Sequence, residues 1–327
     1  MINWHPLLAI LSEKKRILIS THARPDGDAL GSEIALCLAL RARGHNALIV
    51  NSDPLPTCFD FIEEERYLFR ILNVDFLPEE LQKIDLAIIV DTSAKAQLPK
   101  IYDALKEQNI PLAVIDHHSV SDTLTADTFR DENAPATGAI LMDFFESANI
   151  PITQKMAEYL FIAISTDTGW FRFPSMQPKT FRQAAKLMEM GVLPGKIYRC
   201  VNESYPFSRF KLIGVFAQNA TLDSDSRLIY SWLTAEDFKK YGANYNETTD
   251  LVNLLLSTKG TEVAVAFIEH DNGVRINFRS RSEINVAEIA KIFGGGGHVK
   301  ASGAFMEKSI KEVILSVLDE VRTFMVK

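Results

Sequence analysis

At 327 residues the chain exceeds what a single hydrophobic core usually organises, so two domains are expected. A formal net charge of −7 argues against a protein that coats long nucleic acid, and three scattered cysteines without a CxxC (Cys37, Cys58, Cys200) indicate neither disulfides nor a zinc ribbon. No apolar run approaches the ~20 residues of a membrane span, and the amino terminus lacks the features of a secretory signal, which points to the cytoplasm.

Pro6 to Lys14 has the spacing of a short amphipathic helix. Ile17-Leu18-Ile19, after the basic Lys14, Lys15 and Arg16, suits a buried strand of a parallel sheet. The character then changes: His22, Asp26 and Asp28 surround Pro25 and Gly27, and a helical pattern from about Ala29 to Arg43 ends at Gly44. This strand-loop-helix order puts the polar loop at the carboxyl end of a strand, where open α/β sheets bind ligands. Two carboxylates about 5 Å apart repel by roughly 3 kcal/mol at an effective dielectric of about 20, which a divalent cation would offset. The competing reading is that Asp26 and Asp28 only shape the loop and cap the helix.

A second strand spans Ala47 to Val50. Leu86 to Val90 is a continuous apolar run that stops at Asp91, and Pro111 to Ile115 is another that stops at Asp116-His117-His118. Tyr159 to Ile164, helix or strand, empties into Ser165-Thr166-Asp167. Parallel strands separated by helices bring their carboxyl ends to one edge, so His22, Asp26, Asp28, Asp91, His117, His118 and Asp167 can converge. That set supplies ligands for two divalent ions, and with no thiolate in it Mn²⁺ or Mg²⁺ fits better than structural Zn²⁺. Trp170 and Phe171 follow closely, with base stacking and core packing both open to them.

Gly191, Pro194, Gly195 and the helical pattern up to Asn219 read as a structured connection. Beyond it, Leu228 to Leu233, Glu262 to Ile268 and Val274 to Phe278 read as strands, with a hairpin signal at His270-Asp271-Asn272-Gly273. Helices are expected over Asn285 to Phe293 and Ser309 to Val326, giving a smaller mixed α+β domain. The glycines at 294 to 297 each cost roughly 0.5–1 kcal/mol relative to alanine, which suggests backbone N–H groups offered to a phosphate, with His298 beside them; a flexible turn is the alternative. Arg275, Arg279 and Arg281 alternate and would put basic groups on one strand face, or simply line a solvated edge.

His22-x-x-x-Asp26-x-Asp28 with Gly31-Ser32, then Asp91, then Asp116-His117-His118, then Asp167, resembles the four-motif pattern of the DHH phosphoesterases. Gly294-Gly295-Gly296-Gly297-His298 followed by Ala301-Ser302-Gly303 resembles the signature of the associated DHHA1 domain, so the resemblance spans nearly the whole chain. It implies an α/β protein: a parallel-sheet DHH domain over residues 1–190, a helical linker over 191–220 and a DHHA1 domain over 221–327. His22 and Asp26 would hold one metal, Asp28, His117 and Asp167 the other, and Asp91 would bridge them. His118 would face the substrate, with Asp116 orienting the histidines as its catalytic partner. Arg279, Gly295, Gly296, Gly297, His298 and Ser302 would bind the terminal nucleotide. The implied cofactors are two divalent cations, Mn²⁺ first, then Mg²⁺ or Co²⁺. The implied partners are short RNA oligonucleotides and small nucleotides, neither long nucleic acid nor membrane, with a homodimer left open.

Length and motif pairing are most similar to the branch that hydrolyses short oligoribonucleotides to nucleoside 5′-monophosphates and 3′-phosphoadenosine 5′-phosphate (PAP) to AMP and phosphate. Hydrolases of linear or cyclic dinucleotides or of pyrophosphate are the alternatives within the superfamily. A non-catalytic nucleotide-binding module is the alternative of another class.

Overall fold

The computed structural model describes the chain apart from residues 1, 14, 15, 57, 58, 99, 120–123, 125, 224–226 and 327, so Lys14, Lys15 and Cys58 lie outside the described residues. It divides into two compact units, Met1–Ser204 and Tyr205–Lys327.

The first unit opens with helix α1 (His5–Glu13), strand β1 (Arg16–Ser20), helix α2 (Gly27–Ala42), and strands β2 (Asn46–Asn51) and β3 (Phe69–Ile71). Helix α3 (Pro78–Leu81), strand β4 (Leu86–Val90), helix α4 (Ile101–Glu107), and strands β5 (Leu112–Asp116) and β6 (Asp127–Arg130) follow. The six strands form one parallel sheet in the order β3-β2-β1-β4-β5-β6. Because side chains alternate along a strand, the apolar runs feed two cores. Ile17, Ile19, Ile88 and Val90 face one, while Leu18, Ala87 and Ile89 face the other. The edge strands β3 and β6 carry no continuous apolar run and escaped the sequence reading. The strand order reverses direction between β1 and β4, and the Thr21 hydroxyl joins their ends by donating to the Val90 carbonyl at 2.8 Å.

Four helices complete the unit: α5 (Thr137–Ser147), α6 (Gln154–Asp167), α7 (Pro178–Glu189) and α8 (Pro194–Asn202). The 159–164 run, open between helix and strand in sequence, is helical within α6, whose start is capped by the Thr153 hydroxyl accepting from the Met156 N–H at 3.3 Å. Asp167 therefore arrives at the end of a helix. Helix α2 is apolar on nearly every side, as befits a helix packed against both the sheet and α6. The two helices meet closely at Gly31, where a Cβ would lie 2.4 Å from the Tyr159 carbonyl oxygen.

The second unit comprises α9 (Phe207–Gln218), β7 (Thr221–Leu222), β8 (Leu228–Leu233), α10 (Ala235–Tyr241), α11 (Leu251–Leu255) and β9 (Val263–His270). It continues with β10 (Gly273–Ser280), α12 (Val286–Ile292), β11 (Gly296–His298), β12 (Ala301–Met306) and α13 (Ile310–Val326). Its sheet runs β11-β12-β10-β9-β8-β7 and is mixed, with β8 and β9 parallel and the other pairs antiparallel. Gly273 pairs with His270, so Asp271 and Asn272 form the hairpin turn that the sequence signalled. Helices cover both faces: Phe267, Ile276 and Phe278 pack with residues of α12 and α13, and Ile229, Ala264 and Ile268 with residues of α9, α10 and α11.

The stretch expected as a linker is shared between the units. Ile197 and Val201 of α8 are buried in the first unit's core, Leu212 and Phe216 of α9 in the second's, and the division falls between the two helices. No helix among the described residues is long and apolar enough to cross a membrane.

Replacing Gly31 by alanine is expected to destabilise the protein by about 1–3 kcal/mol, since backbone rather than a flexible side chain meets the new methyl. A urea midpoint equal to wild type would show that α2 and α6 separate without cost.

Candidate metal centre

The site forms where β1, β4 and β5 end. Past β1, Asp26 caps α2, its Oδ1 accepting from the N–H groups of Asp28 and Ala29 at 3.0 and 3.1 Å. The same oxygen lies 4.0 Å from His22 Nε2, so Asp26 serves as a cap and also sits among the candidate ligands. Asp28 is buried at the amino end of α5, accepting from the N–H groups of Thr137 at 2.6 Å and Gly138 at 2.9 Å and from the Ser32 hydroxyl at 3.1 Å.

Asp91, just past β4, is 2% exposed and has a left-handed φ of 62°, a conformation that costs a residue with a side chain about 1–3 kcal/mol and clusters at functional sites. Its Oδ1 accepts from the Thr137 hydroxyl at 2.9 Å and lies 3.6 Å from His117 Nε2, while its Oδ2 lies 3.5 Å from His22 Nε2. His117 Nε2 is also 3.4 Å from Asp167 and 3.9 Å from Asp28. Three groups of potential ligand atoms result, each within 4.8 Å: His22, Asp26 and Asp91; Asp28, His117 and Asp167; and Asp91, His117 and His118. All seven residues singled out in the sequence are thus brought together, with Asp91 in two of the groups.

The donor set fits divalent cations. Nδ1 of His22 and of His117 each lies against a backbone carbonyl, at 3.0 and 3.2 Å, which puts a proton on Nδ1 and leaves Nε2 as the nitrogen turned to the carboxylates. His117 Nε2 is buried with no hydrogen-bond partner among the described residues and faces carboxylates, an arrangement that a cation between them reconciles.

Burial above all, then the charges of Asp28, Asp26 and Asp167, holds the Asp91 carboxyl well above the usual range. Burial and the neighbouring Asp28 and Asp26 push Asp167 up to about 8. Burial likewise raises Asp28, against the attraction of His117. Without metal the cluster therefore keeps protons that an unfolded chain, with aspartates near 3.9, would release. At the end of β5 the balance is opposite. Burial opposes charge on Asp116 and His118, but their 2.8 Å bond outweighs it, together with the Ser93 hydroxyl donating to Asp116, so the carboxyl is lowered and the imidazole raised.

Sequence reasoning missed Thr137 and Gly138, which anchor Asp28 and Asp91 through the first turn of α5; Pro135-Ala-Thr-Gly opening a helical pattern was the available signal. After Asp167, Gly169, Trp170 and Phe171 have successive φ values of 56°, 59° and 63°. Left-handed backbone costs about 1–2 kcal/mol per side-chain-bearing residue. The turn is held by Thr168, whose hydroxyl donates to the Ile164 carbonyl at 2.6 Å and accepts from the Phe171 N–H at 3.1 Å. Phe171 packs on Phe161 and Phe181, so core packing describes it; Trp170 meets Tyr198 edge-on at 4.7 Å.

The remaining predicted residues lie in the second unit. Gly296, Gly297 and His298 form β11 against Gly303, Ser302 and Ala301 of β12, so the glycine run enters an edge strand rather than a free turn. A Cβ on Gly295 or Gly297 would come 2.1 Å from the Gly303 carbonyl or 2.6 Å from that of Ala301, whereas Gly296 faces open space. Gly296 and His298 are exposed. Ser302 is buried and donates its hydroxyl to the Val286 carbonyl at 2.6 Å, an internal role where a substrate contact was expected. Arg279 shares a face of β10 with Arg275 and donates to Asn253 Oδ1 at 3.1 Å and the Phe278 carbonyl at 3.0 Å; burial draws its pKa down. Arg281 falls beyond the end of β10.

In the metal-free protein the raised carboxyls make stability fall as pH rises from about 4 towards 8, because the unfolded chain ionises first. Asp91→Asn should therefore raise the thermal midpoint of the metal-free protein at pH 8, with the gain shrinking towards pH 4; no gain at pH 8 would contradict a costly buried carboxyl. Thr137→Val, which removes the hydroxyl on Asp91, is expected to weaken Mn²⁺ binding by roughly 10- to 100-fold in a direct titration.

Residues 16–164 match the model of the DHH family, N-terminal domain, and residues 225–327 match that of the DHHA1 domain. The bifunctional oligoribonuclease and PAP phosphatase NrnA of Thermus thermophilus is 28% identical over 311 residues, which cover 94% of this chain and 89% of that protein. An exopolyphosphatase-related protein from Bacteroides fragilis has a solved structure similar to this one, with a TM-score of 0.91 at 22% identity over 98% of this chain and 97% of that one. The structure of RecJ from Thermus thermophilus in complex with Mn²⁺ is similar with a TM-score of 0.57 at 14% identity, over 97% of this chain and 53% of that one. With one family domain matched in each unit, the chain belongs to the DHH family, in its form that carries a DHHA1 domain.

Proposed function

We propose that the protein is a two-metal phosphoesterase that hydrolyses short oligoribonucleotides to nucleoside 5′-monophosphates and PAP to AMP and phosphate. The observation that carries this reading is the convergence of seven acidic and histidine side chains, Asp91 at their centre, where the parallel sheet reverses its strand order. The activities named for the Thermus thermophilus relative support the substrate class. The donor set, with the Mn²⁺ in the RecJ structure, supports manganese as the first candidate, ahead of Mg²⁺ or Co²⁺.

In this reading His22 and Asp26 would hold one cation, Asp28, His117 and Asp167 the other, and Asp91 would serve both. When bound, such cations neutralise charge on the phosphoryl oxygens and lower the pKa of the attacking water. The protein's own groups do the rest. Thr137 and Gly138 fix the carboxylates, so no reorganisation is needed during the reaction. Asp116 and Ser93 hold His118 in place and favour its protonated form, which suits it to contact a phosphate oxygen or hand a proton to the leaving oxygen. We assign the nucleotide-binding role in the second unit to Arg279, to the exposed backbone at Gly296 and to His298, with Gly295 and Gly297 allowing β11 to lie against β12.

The charge of the chain favours short substrates. Each added nucleotide of a long RNA would bring another phosphate to a protein of net charge −7 with few cations grouped to receive it. Turnover with Mn²⁺ should thus be most efficient on the shortest RNAs and fall from dimers to 24-mers, with a shallow salt dependence. Efficiency rising with length and falling steeply with salt would instead identify a processive exonuclease, and preference for cyclic dinucleotides or pyrophosphate in the same panel would replace the substrate assignment. Asp91→Ala should abolish turnover of every substrate, and activity within tenfold of wild type would sink the two-metal reading. His298→Ala should raise KM for short RNA without lowering bound manganese by elemental analysis.

A further inference from the structure

Core packing and loop closure leave part of the turn after Asp167 unexplained. Phe171 is directed into the core, but Phe173, two residues on, remains 47% exposed. Its ring rests on Gly169, where a Cβ would come 2.5 Å from the ring atoms, so any other residue there would displace it. The backbone is fixed on both sides of that contact. The Thr168 carbonyl accepts the N–H groups of Arg172 and Phe173 at 3.0 and 3.1 Å, and Arg172 Nε donates to the Gly169 carbonyl at 2.6 Å. Beside it, Trp170 meets Tyr198, itself 42% exposed. A strained, tightly bonded turn thus presents one exposed aromatic ring, Phe173, six residues from a candidate metal ligand, with the half-buried Trp170 between them in sequence. Strained backbone persists where its surroundings over-determine it and clusters at ligand clamps, so a half-exposed ring braced on such a turn is a candidate ligand contact.

We propose that Phe173, with Trp170 from the same turn, is a stacking platform for a nucleobase of the substrate. The inference rests on the phosphoesterase reading and adds a source of selectivity in the first unit itself: phosphate esters that carry a planar base are held better than those that do not. Ring stacking reads no base edges, so the platform accepts all four bases, purines best for their larger faces.

The test compares AMP with ribose 5-phosphate by calorimetry on the Mn²⁺-loaded protein. Wild type should bind AMP at least about tenfold more tightly, within the range expected for stacking one base. Phe173→Leu and Trp170→Leu should each narrow that ratio at least threefold while leaving ribose 5-phosphate affinity and manganese content unchanged, and Phe173→Tyr, which keeps the ring, should preserve it. The proposal is overturned if wild type binds both compounds alike, if the ratio survives both leucine substitutions, or if Phe173→Tyr loses it as fully as Phe173→Leu. Absence of short-RNA hydrolysis by wild type would defeat the phosphoesterase reading instead, and the binding ratios would still decide the platform.

Discussion

Burial of Asp28, Asp91 and Asp167 side by side, which opposes their charged forms before repulsion among neighbouring carboxylates adds to it, is the constraint to which the first unit is built. Three buried or half-buried carboxyls within reach of one imidazole nitrogen are an unfavourable arrangement for a folded chain without cations, and the raised pKa values of all three express that cost. The fold absorbs part of it. The amino end of α5 turns two N–H groups and a hydroxyl on Asp28 and Asp91, and two histidines are oriented from behind by backbone carbonyls. What remains unbalanced is an affinity for divalent positive charge. A demand for divalent cations and a cost of folding without them would in this sense be one property of the site.

Much of this was legible in the residues because parallel strands announce themselves twice, by a continuous apolar run and by the polar residue that stops it. Ile17–Ile19, Leu86–Val90 and Pro111–Ile115 each did so, and the residues that stopped them meet in the site. Other parts were not legible. The edge strands β3 and β6 are short and half-exposed, so they lack the apolar run. Thr137 and Gly138 act through backbone donors at a helix start, and nothing in a side-chain pattern says which carboxylate a helix start will meet. A run of left-handed residues containing two aromatics also contradicts local preference, and propensity cannot foresee it.

The glycine run shows how one sequence feature divides into two physical roles. Cost alone suggested a reason for several consecutive glycines, and ligand approach was the one inferred. The structure supplies a nearer reason at Gly295 and Gly297, where neighbouring carbonyls leave no room for a Cβ, and leaves Gly296 and His298 facing outward. Ser302 belongs with the first group, its hydroxyl tying β12 to the start of α12. A signature motif is therefore not a roll of contact residues, since some of its members build the surface that others present.

The left-handed backbone at Asp91 also limits what this position could become. Outside glycine, asparagine and aspartate are the residues that tolerate such a conformation most readily, and β-branched side chains are excluded from it. A descendant that gave up hydrolysis but kept this sheet would have few affordable replacements: asparagine, which retains the oxygen facing Thr137, or glycine, which retains only the turn. Loss of activity through this position would follow a narrow route, because most other side chains would strain the turn in addition to removing the carboxylate.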